Sequence, residues 1–173
     1  MSRSYSIPLG GLKEGRHTID FGIGKEFFEQ FEESEIRDGS LVAVVEMEKR
    51  TTHADLIITI TGSVIVSCDR CLEFFSMPLE CENRLLVKFG KRIEDGDPDI
   101  ISVSAEEHEL DLNQHFYDYI NLALPIKRVH PDDNEGRSTC DPEMLKKLDE
   151  LIIEEDIESD PRWDELRKLI NDN

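Results

Sequence analysis

The chain predicts an α+β fold: a curled, mostly antiparallel sheet forming a partial barrel, with helices on one side and a mobile acidic C-terminal region. Three observations point there. Between Ser40 and Phe89 apolar side chains recur at every second residue in successive runs, the period of half-buried strands. Gly62 interrupts the longest run, as a bulge or bend does where a sheet curls. From Asp111 onward the apolar spacing becomes helical. The expected division is a β-rich core over 1–125, closed by a helix over 111–124, and a loosely attached acidic helical region over 126–173.

Taken in order, Ser4–Leu9 and Arg16–Phe21 read as two strands joined by a Gly/Lys/Glu turn. Lys25–Ser34 carries Phe27, Phe28 and Phe31 on one side of a short amphipathic helix. After the Asp38-Gly39 turn, Ser40–Lys49 alternates with Leu41, Ala43, Val45 and Met47 inward. His53–Ser67 does so with Leu56, Ile58, Ile60, Val64 and Val66. Leu72–Leu79 resumes the strand pattern with Leu72, Phe74 and Ser76 on one side. In Glu80–Phe89, Cys81, Leu85, Val87 and Phe89 oppose Glu80, Glu82, Arg84 and Lys88. Gly90–Asp99 is an acidic loop, and Ile100–Val103 and Glu109–Leu112 are short strands. Leu112, Phe116, Tyr119, Ile120 and Ala123 lie at helical spacing until Pro125 stops the helix. Lys127–Thr139 is polar, turn-rich and expected to be mobile. Asp141-Pro142 is an N-cap followed by a first helical residue, opening a helix with Met144, Leu145, Leu148, Leu151 and Ile152 on its apolar side. Acidic Glu154–Asp160 ends it, and Asp160-Pro161 repeats the start signal before Trp163, Leu166, Leu169 and Ile170. That last helix reads as docking on its own core, with a partner or a second copy as the alternative.

At 173 residues the chain suits one domain. Its formal charge of −19 divides into −5 over residues 1–90 and −14 over 91–173. Such an average field repels nucleic acid and anionic lipid, so any RNA contact needs a local basic face or a protein intermediary. The four cysteines, Cys68, Cys71, Cys81 and Cys140, are too few and too clustered for a secreted disulfide framework. No signal peptide or membrane span is read, which together predict a reducing cytoplasm. The histidines (His17, His53, His108, His115, His130) are scattered and no nucleophile has an evident base. There is no G-x-G-x-x-G or phosphate loop, and no small-molecule substrate is expected.

The chemical motif is Cys68-Asp69-Arg70-Cys71, a C-x2-C corner between two strands. Such a knuckle aims two thiolates at one point, half of a tetrahedral zinc site. It also serves as a plain hairpin whose thiols are small apolar groups. A thioredoxin-like role is disfavoured, because the following residues, Leu72-Glu73-Phe74-Phe75, read as strand rather than as a helix N-terminus. At the tip, Asp69 and Arg70 read either as a phosphate grip through the guanidinium fork or as a surface pair of little energetic value. Arg84 and Lys88, followed by Lys91 and Arg92, form the one dense basic cluster: a candidate RNA- or partner-contact face, or charges that protect a sheet edge. Cys81 is in phase with core residues and reads as a core thiol.

Two segments carry a family resemblance: Gly62–Phe75 (GSVIVSCDRCLEFF) and Asp111–Pro125 (DLNQHFYDYINLALP). With a β-rich first half and a Cys-bearing end, the chain resembles the DUF177 (YceD-like) family over about residues 40 to 145. The resemblance implies a non-enzymatic cytoplasmic factor supporting ribosomal RNA processing or accumulation and large-subunit assembly. Its partner would be precursor ribosomal RNA or a basic ribosomal protein held by the acidic surface. Many relatives carry a second C-x2-C after the Leu-Pro segment; here only Cys140 stands there, with His130 ten residues earlier. Cys68, Cys71, His130 and Cys140 can be assembled as a Cys3His zinc set, or the site has decayed and its cysteines merely pack. The other function classes are an acidic protein-binding adaptor without RNA contact, and a small structural zinc-binding protein.

Overall fold

The computed structural model describes residues 5–90, 97–104 and 107–151. The elements are β1 (Ser6–Pro8), β2 (Gly15–Ile23), α1 (Lys25–Phe28), β3 (Asp38–Lys49), β4 (His53–Ser67), β5 (Phe74–Phe89), β6 (Ile100–Val103), β7 (Glu109–Asp111), α2 (Asn113–Ala123) and α3 (Pro142–Leu151). The expected runs through Lys49, Ser67 and Phe89 become the three long strands β3, β4 and β5. Their alternation is that of a sheet with one covered face.

The expected curled, mostly antiparallel partial barrel does not form. β2-β3-β4-β5-β6 is an open, mixed sheet in which β2 and β6 each pair on one side only. β6 joins β5 in parallel, with Leu86 opposite Ile100. Closure would require the first and last strands to meet. β1, expected as a strand joined to β2 by a turn, pairs with β7 in a separate ribbon, Ile7 opposite Leu110. Gly62 is not a bulge either, because the register passes through it unbroken, Leu41 to Gly62 to Leu79. What requires glycine there is proximity: at φ +145, an added Cβ would lie 2.2 Å from the Ser40 carbonyl oxygen. Asp38-Gly39, expected as a turn, is already strand, and the predicted helix over 25–34 is helical only to Phe28.

The inward face, with Leu41, Ala43, Val45, Leu56, Ile58, Ile60, Leu85 and Val87, carries the core. Both helices of the first 125 residues lie on this side and contribute Phe27, Phe28, Phe116 and Ile120 to it. Tyr5 meets Phe27 edge-on at 4.9 Å, and Phe31 stacks on Tyr117 at 3.9 Å. The fully buried Phe27, Phe28, Phe116 and Ile120 each contribute about 1.5–3 kcal/mol. Lys127–Thr139, expected to be mobile, is folded as turns, with an Asp132–Ser138 bridge and Thr139 Oγ1 donating to the Pro131 carbonyl at 2.6 Å. The expectations for Lys91, Arg92, Ile152, Glu154–Asp160, Trp163, Leu166, Leu169 and Ile170 fall outside the described residues.

Candidate metal centre

The β4–β5 hairpin ends in a tight knuckle. Cys68 N–H donates to the Glu73 carbonyl at 2.9 Å and Leu72 N–H to the Cys68 carbonyl at 3.0 Å. The chain reverses through Leu72 at φ 65, a left-handed conformation costing a non-glycine residue about 1–2 kcal/mol. Strand pairing therefore resumes only at Phe74, two residues later than expected, and Leu72 and Phe74 are exposed. This turn buries both Cys68 and Cys71, while Arg70 N–H points at Cys68 Sγ at 3.4 Å.

A second strip of chain crosses the knuckle. Leu124 is extended before Pro125, which stops α2 and sends the chain back toward Cys68. Asp69 N–H then donates to the Arg128 carbonyl at 2.7 Å, and Arg128 N–H returns a bond to Asp69 Oδ2 at 2.6 Å. This two-bond clamp sets His130 over the thiols, its ring against Phe75 at 4.6 Å between centroids. Cys140 arrives just before α3, capped as expected: Asp141 Oδ1 accepts from Glu143 N–H at 3.0 Å. Met144 and Leu145 of α3 pack onto the buried thiols.

Four donors from three segments thus converge. Cys68 Sγ and Cys140 Sγ are 3.8 Å apart, Cys71 Sγ and His130 Nδ1 3.4 Å, and Cys140 Sγ and His130 Nδ1 3.8 Å. All four ligand atoms lie within 4.8 Å of one another. Zinc bonds of about 2.3 Å to sulfur and 2.0–2.1 Å to nitrogen give tetrahedral edges of about 3.8 Å (S–S) and 3.6 Å (S–N), close to these separations. The cysteines are free thiols. Burial is the largest influence on Cys68 and pushes its thiol up. Hydrogen bonding from the backbone at Cys71, Arg70 and His130, and from the His130 ring, outweighs it and brings the thiol down to about 6. Cys71 moves the other way, raised chiefly by burial and further by its Cys68 and Cys140 neighbours, against backbone bonds from Asp141 and Glu73. Buried sulfurs this close cannot all ionise without a cation among them. The donor set fits zinc, as a closed structural site with no open position for substrate.

Asp69 holds Arg128 in place, aided by Glu35 on the Arg128 guanidinium. Sequence reasoning missed Arg128, because its role is a contact across 59 residues. Arg70 is exposed at the tip, and Arg84 is exposed on the sheet face opposite the helices. Lys88 sits near the far end of β5, next to His53 in register. From the Ser67–Phe74 pair to the His53–Lys88 pair is about 45 Å at strand spacing, so Arg70 and Lys88 lie at opposite ends of the hairpin. Cys81 stands apart from the cluster, half-buried against the core with its thiol on the Tyr119 carbonyl at 3.9 Å. No described helix is long and apolar enough to cross a membrane.

Among curated proteins and among solved structures, no relative matches the chain. One family does: the profile described as large ribosomal RNA subunit accumulation protein YceD matches residues 56–170, which takes in the knuckle, the clamp, His130 and Cys140. By that match the chain belongs to the YceD family, whose members are non-catalytic accessory factors.

Proposed function

We propose that the protein is a cytoplasmic, non-enzymatic accessory factor in large-subunit ribosomal RNA accumulation. In this reading a structural zinc on Cys68, Cys71, His130 and Cys140 fastens the C-terminal segment to the sheet, and the acidic surface engages a basic protein partner. The observation that carries the metal is the convergence of three buried thiols and one imidazole nitrogen within 4.8 Å. Binding would draw the thiol protons off and add a bond between the knuckle, the His130 strip and Cys140 to the contacts already there, so ligand capture stabilises the fold.

The test is elemental analysis of chelator-free protein with thermal unfolding. One zinc per chain is expected, with the melting temperature falling on chelation and recovering on zinc addition. Sub-stoichiometric metal with no thermal response to zinc would remove the metal from the reading.

A second reading adds direct RNA contact at the knuckle, favoured by Arg37 lying over the exposed Phe74 ring at 5.4 Å. Such an aromatic–guanidinium platform suits an unpaired base. Gel shifts with precursor RNA that survive Arg70→Glu and Phe74→Ala unchanged would discard it. Arg84, Lys88, Lys91 and Arg92 remain proposed as a contact group apart from the knuckle, for a partner or for RNA; loss of RNA binding in Arg84→Glu/Lys88→Glu would assign the group to RNA, and unchanged binding would leave it to a protein partner.

A further inference from the structure

One face of the sheet has nothing on it among the described residues. The helices and the β1–β7 ribbon cover the inward face, while Val42, Val44, Ile57, Leu86 and Ile100 face the other way and take no part in the core. Val42 is 47% exposed, and the other four are half-buried only by their neighbours. Strand register arranges these five side chains as a diagonal. Val42 and Val44 follow one another on β3; Ile57 on β4 is one step further along, opposite Glu46 and Arg84; Leu86 on β5 is a further step, opposite Asp55 and Ile100. From Val42 to Leu86 the stripe crosses two inter-strand gaps and three two-residue steps, about 22 Å at sheet spacings. That is the length of about 15 helical residues, inclined by roughly 25° to the strands.

Charge flanks the stripe on both sides. Glu46, Glu48 and Asp55 lie to one side, Glu80 and Glu82 to the other, with Arg16 and Arg84 as the cations in the same rows. We propose that this bare face docks a basic amphipathic helix of a partner protein, its apolar side on the diagonal and its Lys/Arg flanks against the two acidic margins. The proposal rests on reading the protein as an acidic adaptor, and it names that adaptor's surface. Charge complementarity selects this occupant over the others. Residues 152–173 carry eight acids against three bases, and a second copy of the chain is equally acidic, so both meet like charge. RNA phosphates would too.

The probe is a fluorescein-labelled 16-residue helix with leucine at every third and fourth position and lysine elsewhere, titrated against full-length protein by anisotropy. A scrambled peptide of identical composition is the control. Binding of the amphipathic peptide at least tenfold tighter than the scrambled one is expected. Ile57→Asp should weaken it at least tenfold, and Glu46→Lys/Glu82→Lys by a similar factor while making its decline with salt shallower than in the unsubstituted protein. Because Ile57 and the two glutamates lie outside the core, zinc content and melting temperature should hold. If either variant melts early, the other carries the test. Equal binding of the scrambled peptide, or peptide binding indifferent to both variants, overturns the face assignment while leaving the adaptor reading standing. No binding of any basic peptide at low salt sinks the adaptor reading itself. Displacement of the peptide by a single-stranded RNA of equal length assigns the face to RNA. A dimer dissolved by Ile57→Asp assigns it to a second copy, and a change in Trp163 fluorescence on Ile57→Asp, without peptide, assigns it to the chain's own end. Each of these three overturns the proposal.

Discussion

Replacing Asp69 with alanine should weaken zinc binding five- to tenfold without unfolding the sheet. The carboxylate touches no donor atom of the cluster. It accepts from Arg128 N–H at 2.6 Å, and so holds the strip that carries His130 two residues later. A hydrogen bond to a charged acceptor contributes about 1.5–3 kcal/mol. The Asp69 side chain is 39% exposed, so water screens part of that, leaving about 1–1.4 kcal/mol. The reciprocal bond from Asp69 N–H to the Arg128 carbonyl survives truncation, which keeps the loss from being larger. At about 1.4 kcal/mol per decade, the effect is five- to tenfold in affinity. Indirect ligand supports are worth about tenfold or more when removed, in keeping with that figure. The assay is competition for zinc with a colorimetric chelator at neutral pH. Arg70→Ala is the control: its exposed side chain supports nothing in the cluster, and its backbone N–H on Cys68 Sγ remains. If Asp69→Ala keeps wild-type affinity within twofold, or Arg70→Ala loses as much, the clamp does not position His130.

Gly62→Ala should lower the urea midpoint by about 1 M. The Cβ would sit 2.2 Å from backbone oxygen in a central strand, a conformation costing about 1–3 kcal/mol before that overlap is relieved; a midpoint shift under about 0.2 M would refute it. Tyr119 is raised to about 12 by burial, then by Asp99 and Asp118, and its hydroxyl has no hydrogen-bond partner among the described residues. Unfolded tyrosine ionises near 10, so the native state loses stability as pH rises from there through 12; Tyr119→Phe should flatten that decline and be harmless at pH 7, and parallel pH profiles would contradict the assignment. Cys81→Ala should cost about 1 kcal/mol, a small core truncation, and leave zinc stoichiometry unchanged; loss of metal would place Cys81 among the ligands.

Several elements were legible because each is recorded by neighbours in the chain. Alternation at Leu41–Met47 and Leu56–Val66 states which side chains face inward, and the same alternation set Cys81 in the core and Arg84 outside it. Asp141-Pro142 announced a helix start through capping chemistry alone. Leu72 misled, because a hydrophobic residue after Cys71 extends the strand pattern while its backbone is bent into the left-handed turn of the knuckle. Asp69 misled in the other direction: an acid beside an arginine at a hairpin tip looks available, yet its carboxylate is engaged by an amide 59 residues away.

Residue order by itself determined the strands, their inward faces, the two-thiol corner, the acidic balance and the four residue types able to hold a metal. Only the folded chain decided that the sheet stays open, that β1 seeks β7 and β6 runs parallel to β5, and that His130 and Cys140 reach Cys68 and Cys71. The physical reason is that periodicity encodes the direction of a side chain relative to its own backbone. Which strand or loop lies alongside is settled by hydrogen bonds and packing between segments far apart in sequence, and no local pattern carries that information.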